Sequence, residues 1–280
     1  MSIKIVADST CDLPPELLER YAVTILPLSI NKDGQFYKDG VEITPADIFA
    51  HVDSGGALCT TAAVNMSEFT ECFAGCSGKY DAVICVTISA EMSSCYANAC
   101  LAAGAFPNVY VVDSRNLSSA QGLIVLEAAR LARQGLSGSQ IAARLDGLTA
   151  KVQSSFLLDR LDYMKKGGRC SAVTALGANL LHLKPCIEVH DGKMGVGKKY
   201  RGSFEHCMYQ YTKELLARYP DSRTDTVLVV HPAAESAAVE AAKRALREDG
   251  RFSEIYEART GCTVACHCGP NTIGVMFVNR

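Results

Sequence analysis

Two clusters of hydroxyl side chains in the sequence could hold a small anion. Ser93 lies in a turn between an apolar, β-branched run at 83–88, which predicts a strand, and an Ala-rich stretch that predicts a helix from Ser93 to about residue 103. The first N–H groups of a helix lack intrahelical partners and carry partial positive charge, so such a turn favours an anion. The second cluster is Thr60-Thr61, shortly before a helix predicted to start near Ser67. For Ser93 alone, the simpler alternative is a helix N-cap.

An enzyme is the competing hypothesis for the same residues. Ser93, His267 and either Asp113 or Asp8 could form a Ser-His-Asp set, as in a lipid esterase or acyltransferase. The residues that flank Ser93 do not form the Gly-x-Ser-x-Gly turn that exposes such a nucleophile. A phosphate-binding loop is not indicated either, because the nearest match, at 195–198, lacks the required spacing. We therefore expect no catalytic residues and keep the esterase or acyltransferase as the alternative.

The cysteines indicate a reducing compartment rather than a disulfide framework or a metal site. The chain has 13 cysteines, an odd number scattered through predicted helices and strands. The segment Cys266-His267-Cys268 reads as part of a strand, in which His267 would point away from both thiols. A tetrahedral zinc site needs four converging ligands, and the sequence has no second Cys/His pair at the spacing of a zinc site. We expect no metal and a cytoplasmic location.

Composition is that of a globular protein and excludes several functional classes. Hydrophobic residues make up 48% of the 280 residues and charged residues 21%, with a formal net charge of -2. That charge gives no basic footprint for nucleic acid, so no nucleic-acid partner is expected. The chain opens on a strand-like run without the pattern of a signal peptide. The long charge-free stretches at 92–112 and 261–279 contain Gly, Pro and Asn, so we expect no stable membrane insertion.

The order of predicted elements indicates two α/β domains. In the first half, strands at 3–7, 23–29, 82–88 and 109–112 alternate with helices, which predicts a mostly parallel sheet with flanking helices. The second half mixes a hairpin, joined by Asp191-Gly192, with further helices and strands, which predicts a mixed sheet. No linker rich in Pro or Ser separates the halves. We therefore predict two closely packed domains at 1–155 and 156–280.

Ligands of a parallel sheet bind beyond the carboxyl ends of its strands, and three polar turns fall there. They are Asp8-Ser9-Thr10, the turn at 89–93, and Asp113-Ser114. A carboxylate accepts hydrogen bonds only, and hydroxyl, backbone N–H and imidazole N–H groups can supply the donors. The second half also has apolar side chains that could line an apolar ligand site, although an ordinary core is the simpler interpretation of each: Leu176, Leu180, Leu181, Leu183 and Ile187.

Several short sequence motifs, spread over nearly the whole chain, together match the pattern of one protein family. They are Asp8-Ser9-Thr10-Cys11-Asp12-Leu13-Pro14, the loop at 61–69, the turn at 89–96, Val111-Val112-Asp113-Ser114 with Gln121-Gly122, the segment at 161–169 that ends in Gly167-Gly168-Arg169, Lys184-Pro185, Arg201-Gly202, and His267-Cys268-Gly269-Pro270. In this order the blocks resemble the DegV family of fatty-acid-binding proteins. Two departures from the family pattern are Ala62, where a second hydroxyl is frequent, and Glu91 and Ser94, where the family has small Gly positions.

The resemblance implies a function and a set of site residues. Members of the family bind one long-chain fatty acid in a closed apolar tunnel between two domains, and they present its carboxylate to a separate fatty acid kinase. The resemblance places Thr61, Ser93 and His267 around the carboxylate. It places Arg169 and Arg201 at the contact with phosphate or kinase, and it implies no cofactor other than the bound fatty acid. A further alternative with similar architecture is the ligand-binding subunit of a dihydroxyacetone-type kinase, which would need a polar pocket.

Overall fold

The computed structural model describes residues 1–174 and 183–280. In these ranges the strands are β1 (Ile3–Asp8), β2 (Thr24–Leu26), β3 (Ser29–Lys32), β4 (Gln35–Lys38), β5 (Thr60–Ala62), β6 (Ala82–Thr87), β7 (Val109–Asp113), β8 (Val152–Gln153), β9 (Ser155–Leu157), β10 (Leu183–His190), β11 (Lys193–Arg201), β12 (Ser222–His231), β13 (Glu254–Arg259) and β14 (Ile273–Asn279).

The helices in the same ranges are α1 (Pro15–Arg20), α2 (Pro45–Asp53), α3 (Met66–Ser77), α4 (Cys95–Ala103), α5 (Ser118–Arg133), α6 (Gly138–Thr149), α7 (Asp162–Gly167), α8 (Ser171–Thr174), α9 (Phe204–Arg218), α10 (Ser236–Asp249) and α11 (Cys262–Cys268), with a 3-10 turn at Ser9–Cys11. Strands and helices alternate along the chain, so the predicted α/β class is confirmed. None of the described helices combines the length and apolar character that a membrane span requires.

A parallel sheet with helices on both faces forms the centre of the N-terminal half. Its strand order is β2-β1-β6-β7, and every pair is parallel. Successive side chains of a strand point to opposite faces. Accordingly, Ile5 and Ala7 of β1 pack toward α5 and α6, whereas Val6 packs toward α3 and α4. Because both faces are covered, β6 is buried along its whole length.

A small antiparallel sheet beside it was not predicted from the sequence. Its order is β4-β3-β5, and β5 carries Thr61 opposite Ile30 of β3. The single strand predicted at 23–29 is in fact two strands in different sheets, β2 and β3, with Pro27 between them. Proline has no N–H, so Pro27 cannot donate to a strand ladder between the two strands. The small sheet therefore sets the position of the Thr61 loop.

A mixed sheet forms the C-terminal half, in the order β11-β10-β9-β14-β12-β13, with β8 paired to β14. Only β12 and β13 pair in parallel among these strands. Helices α9 and α10 cover one face, and the other face packs against α5 through Leu228, Val230 and Met276. Helix α5 is thus buried between the two sheets, which share one core. The boundary between 155 and 156 stays a prediction, and β8 joins the second sheet just before it.

The segment around His267 is a helix, not the predicted strand. Helix α11 spans Cys262–Cys268, and its N-cap, Gly261, has no side chain to satisfy the first N–H groups. Carboxylates from far along the chain do so instead: Asp12 accepts from Gly261 N at 2.7 Å, and Asp39 accepts from Cys262 N at 2.6 Å. Helix ends need such acceptors, and these lie more than 200 residues away. Local sequence therefore gave no sign of this helix start.

The predicted hairpin between β10 and β11 is confirmed. Asp191 and Gly192 both have positive φ, 49° and 81°. Two consecutive residues with positive φ form the hairpin turn that matches the twist of its strands. The turn docks on the N-terminal half, because Ser89 Oγ donates to Gly192 O at 2.8 Å and the Arg115 guanidinium donates to Asp191 O.

Candidate functional site

A cavity of about 350 Å³ lies where the two halves of the chain meet. This volume is in the usual range for small-molecule sites, about 300–1,000 Å³. Polar side chains form part of its wall, and the apolar remainder consists of Leu28, Ala62, Ala63, Ile88, Met92, Leu117, Met194, Val264 and Cys268. The N-terminal half supplies β5, the turn at 88–94 and the start of α5, and the C-terminal half supplies β11 and α11.

Four of the five residues singled out from the sequence line this cavity. Thr61 and Ser93 reach it from the N-terminal half, and Arg169 and His267 from the C-terminal half. Arg201 does not: it is exposed at the end of β11 and is not part of the described cavity wall. The structure therefore brings the three residues predicted to hold a carboxylate together with Arg169. It leaves Arg201 outside the cavity.

His267 and Thr61 are in direct contact across the two halves. His267 Nε2 lies 3.0 Å from Thr61 Oγ1. Burial lowers the pKa of His267 to about 4, and the charge of Arg169 acts in the same direction, so the ring is neutral at pH 7. With its proton on Nε2, the ring donates to Thr61 Oγ1, and the hydroxyl hydrogen of Thr61 is then free for a bound acceptor.

Ser93 stands just before helix α4, which starts two residues later than the sequence suggested. The N-cap by backbone geometry is Ser94, whose side chain makes no capping bond, and Ser93 Oγ accepts from Cys95 N at 3.3 Å. The Ser93 hydroxyl faces Cys95 Sγ at 3.3 Å, and a thiol sulfur is a weak acceptor. A stronger acceptor in the cavity can therefore take that hydrogen while the helix start keeps its partner.

The Gly167-Gly168 pair serves two different purposes beside His267. Gly168 ends α7 in the left-handed region, with φ 68°, where glycine carries no steric penalty. Gly167 lies against the imidazole: a Cβ at this position would be 2.4 Å from His267 Nδ1. Gly167 therefore permits the close approach of α7 to the His267 ring.

Two buried carboxylates hold the helix that carries His267. Asp39 accepts from Thr263 N at 3.1 Å and from Thr263 Oγ1 at 2.6 Å, in addition to its bond with Cys262 N. Asp12 accepts from Gly261 N and from Ser118 Oγ, and burial raises its pKa. Asp12 lies in a block noted in the sequence, but nothing in the local pattern around Asp39 pointed to this role.

The apolar part of the cavity continues toward the C-terminal sheet. A small adjoining cavity of about 20 Å³ shares Leu117, Val264 and Cys268 with the first and is closed by Phe156, Val230, Met276 and their neighbours. Of the apolar residues proposed from the sequence, Leu176, Leu180 and Leu181 lie outside the described residues. Leu183 and Ile187 are described and do not line either cavity.

The Ser-His-Asp set considered from the sequence is not assembled. Asp8 accepts from Thr10, Ile88 N and Gln121, and Asp113 accepts from Ala90 N and Arg115 N. His267 Nδ1 has no hydrogen-bond partner among the described residues, and its Nε2 contacts Thr61 instead of Ser93. A serine nucleophile needs a histidine base oriented by a third group, and within residues 1–174 and 183–280 Ser93 and His267 do not form that arrangement.

Comparison with known proteins identifies the family of this fold and site. The model of the DegV family, which is described as a family of uncharacterised proteins, matches residues 2–280 of this chain. A DegV domain-containing protein of Clostridium acetobutylicum is 31% identical over 280 residues, which cover 99% of both chains. A solved structure shows fatty acid binding by a DegV family protein from Thermus thermophilus. That protein is 30% identical to this chain over 100% of both chains, with a TM-score of 0.93. A stearic acid-binding protein of Eubacterium ventriosum is 29% identical, covering 99% of this chain and 98% of its own, with a TM-score of 0.85. The chain belongs to the DegV family.

Proposed function

We propose that the protein binds one long-chain fatty acid in the cavity between its halves, with the carboxylate held at Thr61, Ser93 and His267. The observation that supports this most is that polar and apolar groups line different parts of the cavity. Hydroxyl and imidazole groups lie around Thr61, and apolar side chains line the continuation toward the C-terminal sheet. Relatives about 30% identical over their whole length bind fatty acids.

The head group would be held by neutral donors. A carboxylate accepts hydrogen bonds and donates none. The Ser93 hydroxyl has a hydrogen to offer it, and the Thr61 hydroxyl does so when His267 carries its proton on Nε2. The neutral His267 ring belongs to this head-group site by positioning the Thr61 hydroxyl, which lies 3.0 Å from its Nε2. Ser94 also lines the cavity and adds a hydroxyl, which offsets the one missing at Ala62. Held in this way, the carboxylate stays approachable by a second reactant.

The acyl chain would supply most of the affinity. Each buried CH₂ contributes about 0.8 kcal/mol, so some sixteen methylenes give on the order of 10 kcal/mol before the entropy cost of binding. The described walls offer Leu117, Val264 and Met276 along this path. A dihydroxyacetone-type kinase subunit would instead need polar walls around a small ketone, which this arrangement does not favour.

We propose no catalytic role for the chain and no cofactor. Among the described residues, His267 has no carboxylate partner that could orient it as a catalytic base. The proposed place of action is the cytoplasm, because all 13 cysteines are free thiols and most are buried.

The head-group assignment is tested by removing one hydroxyl at a time. Thr61→Val and Ser93→Ala are each expected to weaken fatty-acid binding by about 1–3 kcal/mol, because a buried carboxylate loses a donor. The control is Thr60→Val, since Thr60 is exposed on the same strand and does not line the cavity. Calorimetry with palmitate measures all three. If Thr61→Val and Ser93→Ala bound palmitate like the parent protein, the head-group assignment would be wrong.

The proposed partner is a fatty acid kinase that phosphorylates the bound carboxylate, with Arg169 and Arg201 at its contact. A guanidinium suits a phosphate product or an acidic partner surface. Because Arg201 is exposed outside the cavity, Arg201→Ala is expected to lower kinase-dependent acyl-phosphate formation and leave fatty-acid affinity unchanged. Arg169 lines the cavity, so Arg169→Ala is expected to lower both. Lys199→Ala, another exposed cation on β11, is the control, and no loss for either arginine variant would refute the contact.

A further inference from the structure

A second cavity, of about 220 Å³, lies apart from the first and shares no lining residue with it. It forms where the turn after β7, the end of α6, β8, the β10–β11 turn, the end of α9 and the end of β14 come together. One water occupies about 30 Å³ in the liquid, so this space exceeds what a single buried water fills. The proposed fatty-acid function makes no use of it.

Three buried polar atoms in its wall have no partner among the described residues. They are Gln153 Oε1, Ser154 Oγ and Asn279 Oδ1. Gln153 and Ser154 are only 6% and 4% exposed. Gln153 Nε2 donates to Ser155 Oγ at 2.6 Å, which leaves Oε1 as the free acceptor. Buried polar groups without partners are costly, so the wall is built for an occupant that donates hydrogen bonds.

The charges in the wall are already matched. Arg218 donates to Glu188 at 2.8 Å, and the Arg115 guanidinium donates to the backbone of Asp191. With these two arginines, Glu188 and Asp191, the formal charges of the lining Arg, Asp and Glu side chains cancel. A charged occupant would upset this balance, whereas a neutral occupant would not. The occupant that fits is therefore neutral.

An aromatic ring completes the wall. Tyr219 lines the cavity and is held edge-on against Phe277, with ring centroids 5.9 Å apart and an interplanar angle of 76°. A fixed aromatic face packs against the C–H groups of a ring whose hydroxyls point outward to polar partners. We propose that this cavity binds a neutral monosaccharide or cyclic polyol, whose hydroxyls donate to Gln153 Oε1 and Asn279 Oδ1 and share a bond with Ser154 Oγ.

The test uses D-glucose and myo-inositol as probes and saturation-transfer NMR on the intact protein. Saturable binding of at least one probe is expected, and Ser154→Ala and Gln153→Met should each weaken it by about tenfold, the effect of one lost hydrogen bond to a buried group. Thr60→Val, at an exposed position outside both cavities, is the control and should leave probe binding unchanged. Equal binding by the parent and both cavity variants would overturn the proposal.

A measurement on the parent protein alone keeps the test independent of how the variants fold. Titration of the isotope-labelled protein with either probe should shift the amide signals of 152–154 and Asn279. Shifts at Thr61 and His267 instead, or no saturable shift with either probe, would overturn the proposal and leave ordered water as the occupant. Fatty-acid binding is measured separately, so failure here does not bear on the proposed lipid function.

Discussion

Acid is expected to destabilise the folded protein through His267. Burial of the ring, reinforced by the charge of Arg169, lowers its pKa from the ordinary 6.5 to about 4. Between these two values the unfolded chain binds a proton at this ring and the folded chain does not. The free energy of unfolding must therefore fall as the pH drops from 6.5 toward 4, and this effect is absent above 6.5.

The size of the effect follows from the two pKa values. The difference between 6.5 and about 4 corresponds to about 3 kcal/mol at full development. Domains are stable by only about 5–15 kcal/mol, so this is a measurable share. A bound fatty-acid carboxylate beside the ring would favour the imidazolium and raise the pKa of His267. The lipid-free protein should thus lose more stability on acidification than the lipid-bound protein.

Urea unfolding of the lipid-free protein between pH 7 and pH 4 measures the effect against the variant His267→Gln. The parent should lose about 3 kcal/mol more than the variant over this range. Burial also raises the pKa of Asp8 and Asp12, but both carboxyls are present in both proteins and their contribution cancels. His206→Gln, at an exposed position, should behave like the parent. Parallel pH curves for the parent and His267→Gln would refute the reasoning.

Two further substitutions test how His267 is positioned. Gly167→Ala places a Cβ 2.4 Å from His267 Nδ1 and should weaken palmitate binding by about tenfold. Gly168→Ala, at φ 68° with open space around it, should instead cost about 1–2 kcal/mol of stability and leave palmitate binding unchanged. Calorimetry and urea unfolding separate the two, and identical profiles would contradict the assignment. Asp39→Asn removes charged acceptors from the start of α11 and should lower stability by about 1.5–3 kcal/mol, unlike Asp33→Asn at an exposed turn. An Asp39→Asn protein as stable as the parent would rule out that anchoring role.

The parts of the fold that follow local patterns could be predicted from the sequence. The buried run of β6, the long helix α5 and the Asp191-Gly192 turn each carry their own signal in composition or turn chemistry. The small sheet with β5 and the helix α11 do not. β5 is three residues long, and the start of α11 depends on Asp12 and Asp39, which meet it only in the folded chain.

The candidate site was predictable to a similar extent. Hydroxyls at strand and helix ends pointed to Thr61 and Ser93, and the family resemblance added His267 and Arg169. The contact between Thr61 and His267 joins residues 206 positions apart, and the purpose of Gly167 depends on the packing of α7 against α11. Such contacts are properties of the tertiary structure, which no local pattern encodes.

The proposed function is that this chain carries a fatty acid at Thr61, Ser93 and His267. Its most direct test is mass spectrometry of lipid released by denaturing the protein purified from bacterial cells, with Thr61→Val/Ser93→Ala prepared in parallel. We predict about one long-chain fatty acid per parent chain and a clear loss in the double variant. Parent protein that released no fatty acid and took up neither palmitate nor oleate would contradict the proposed function.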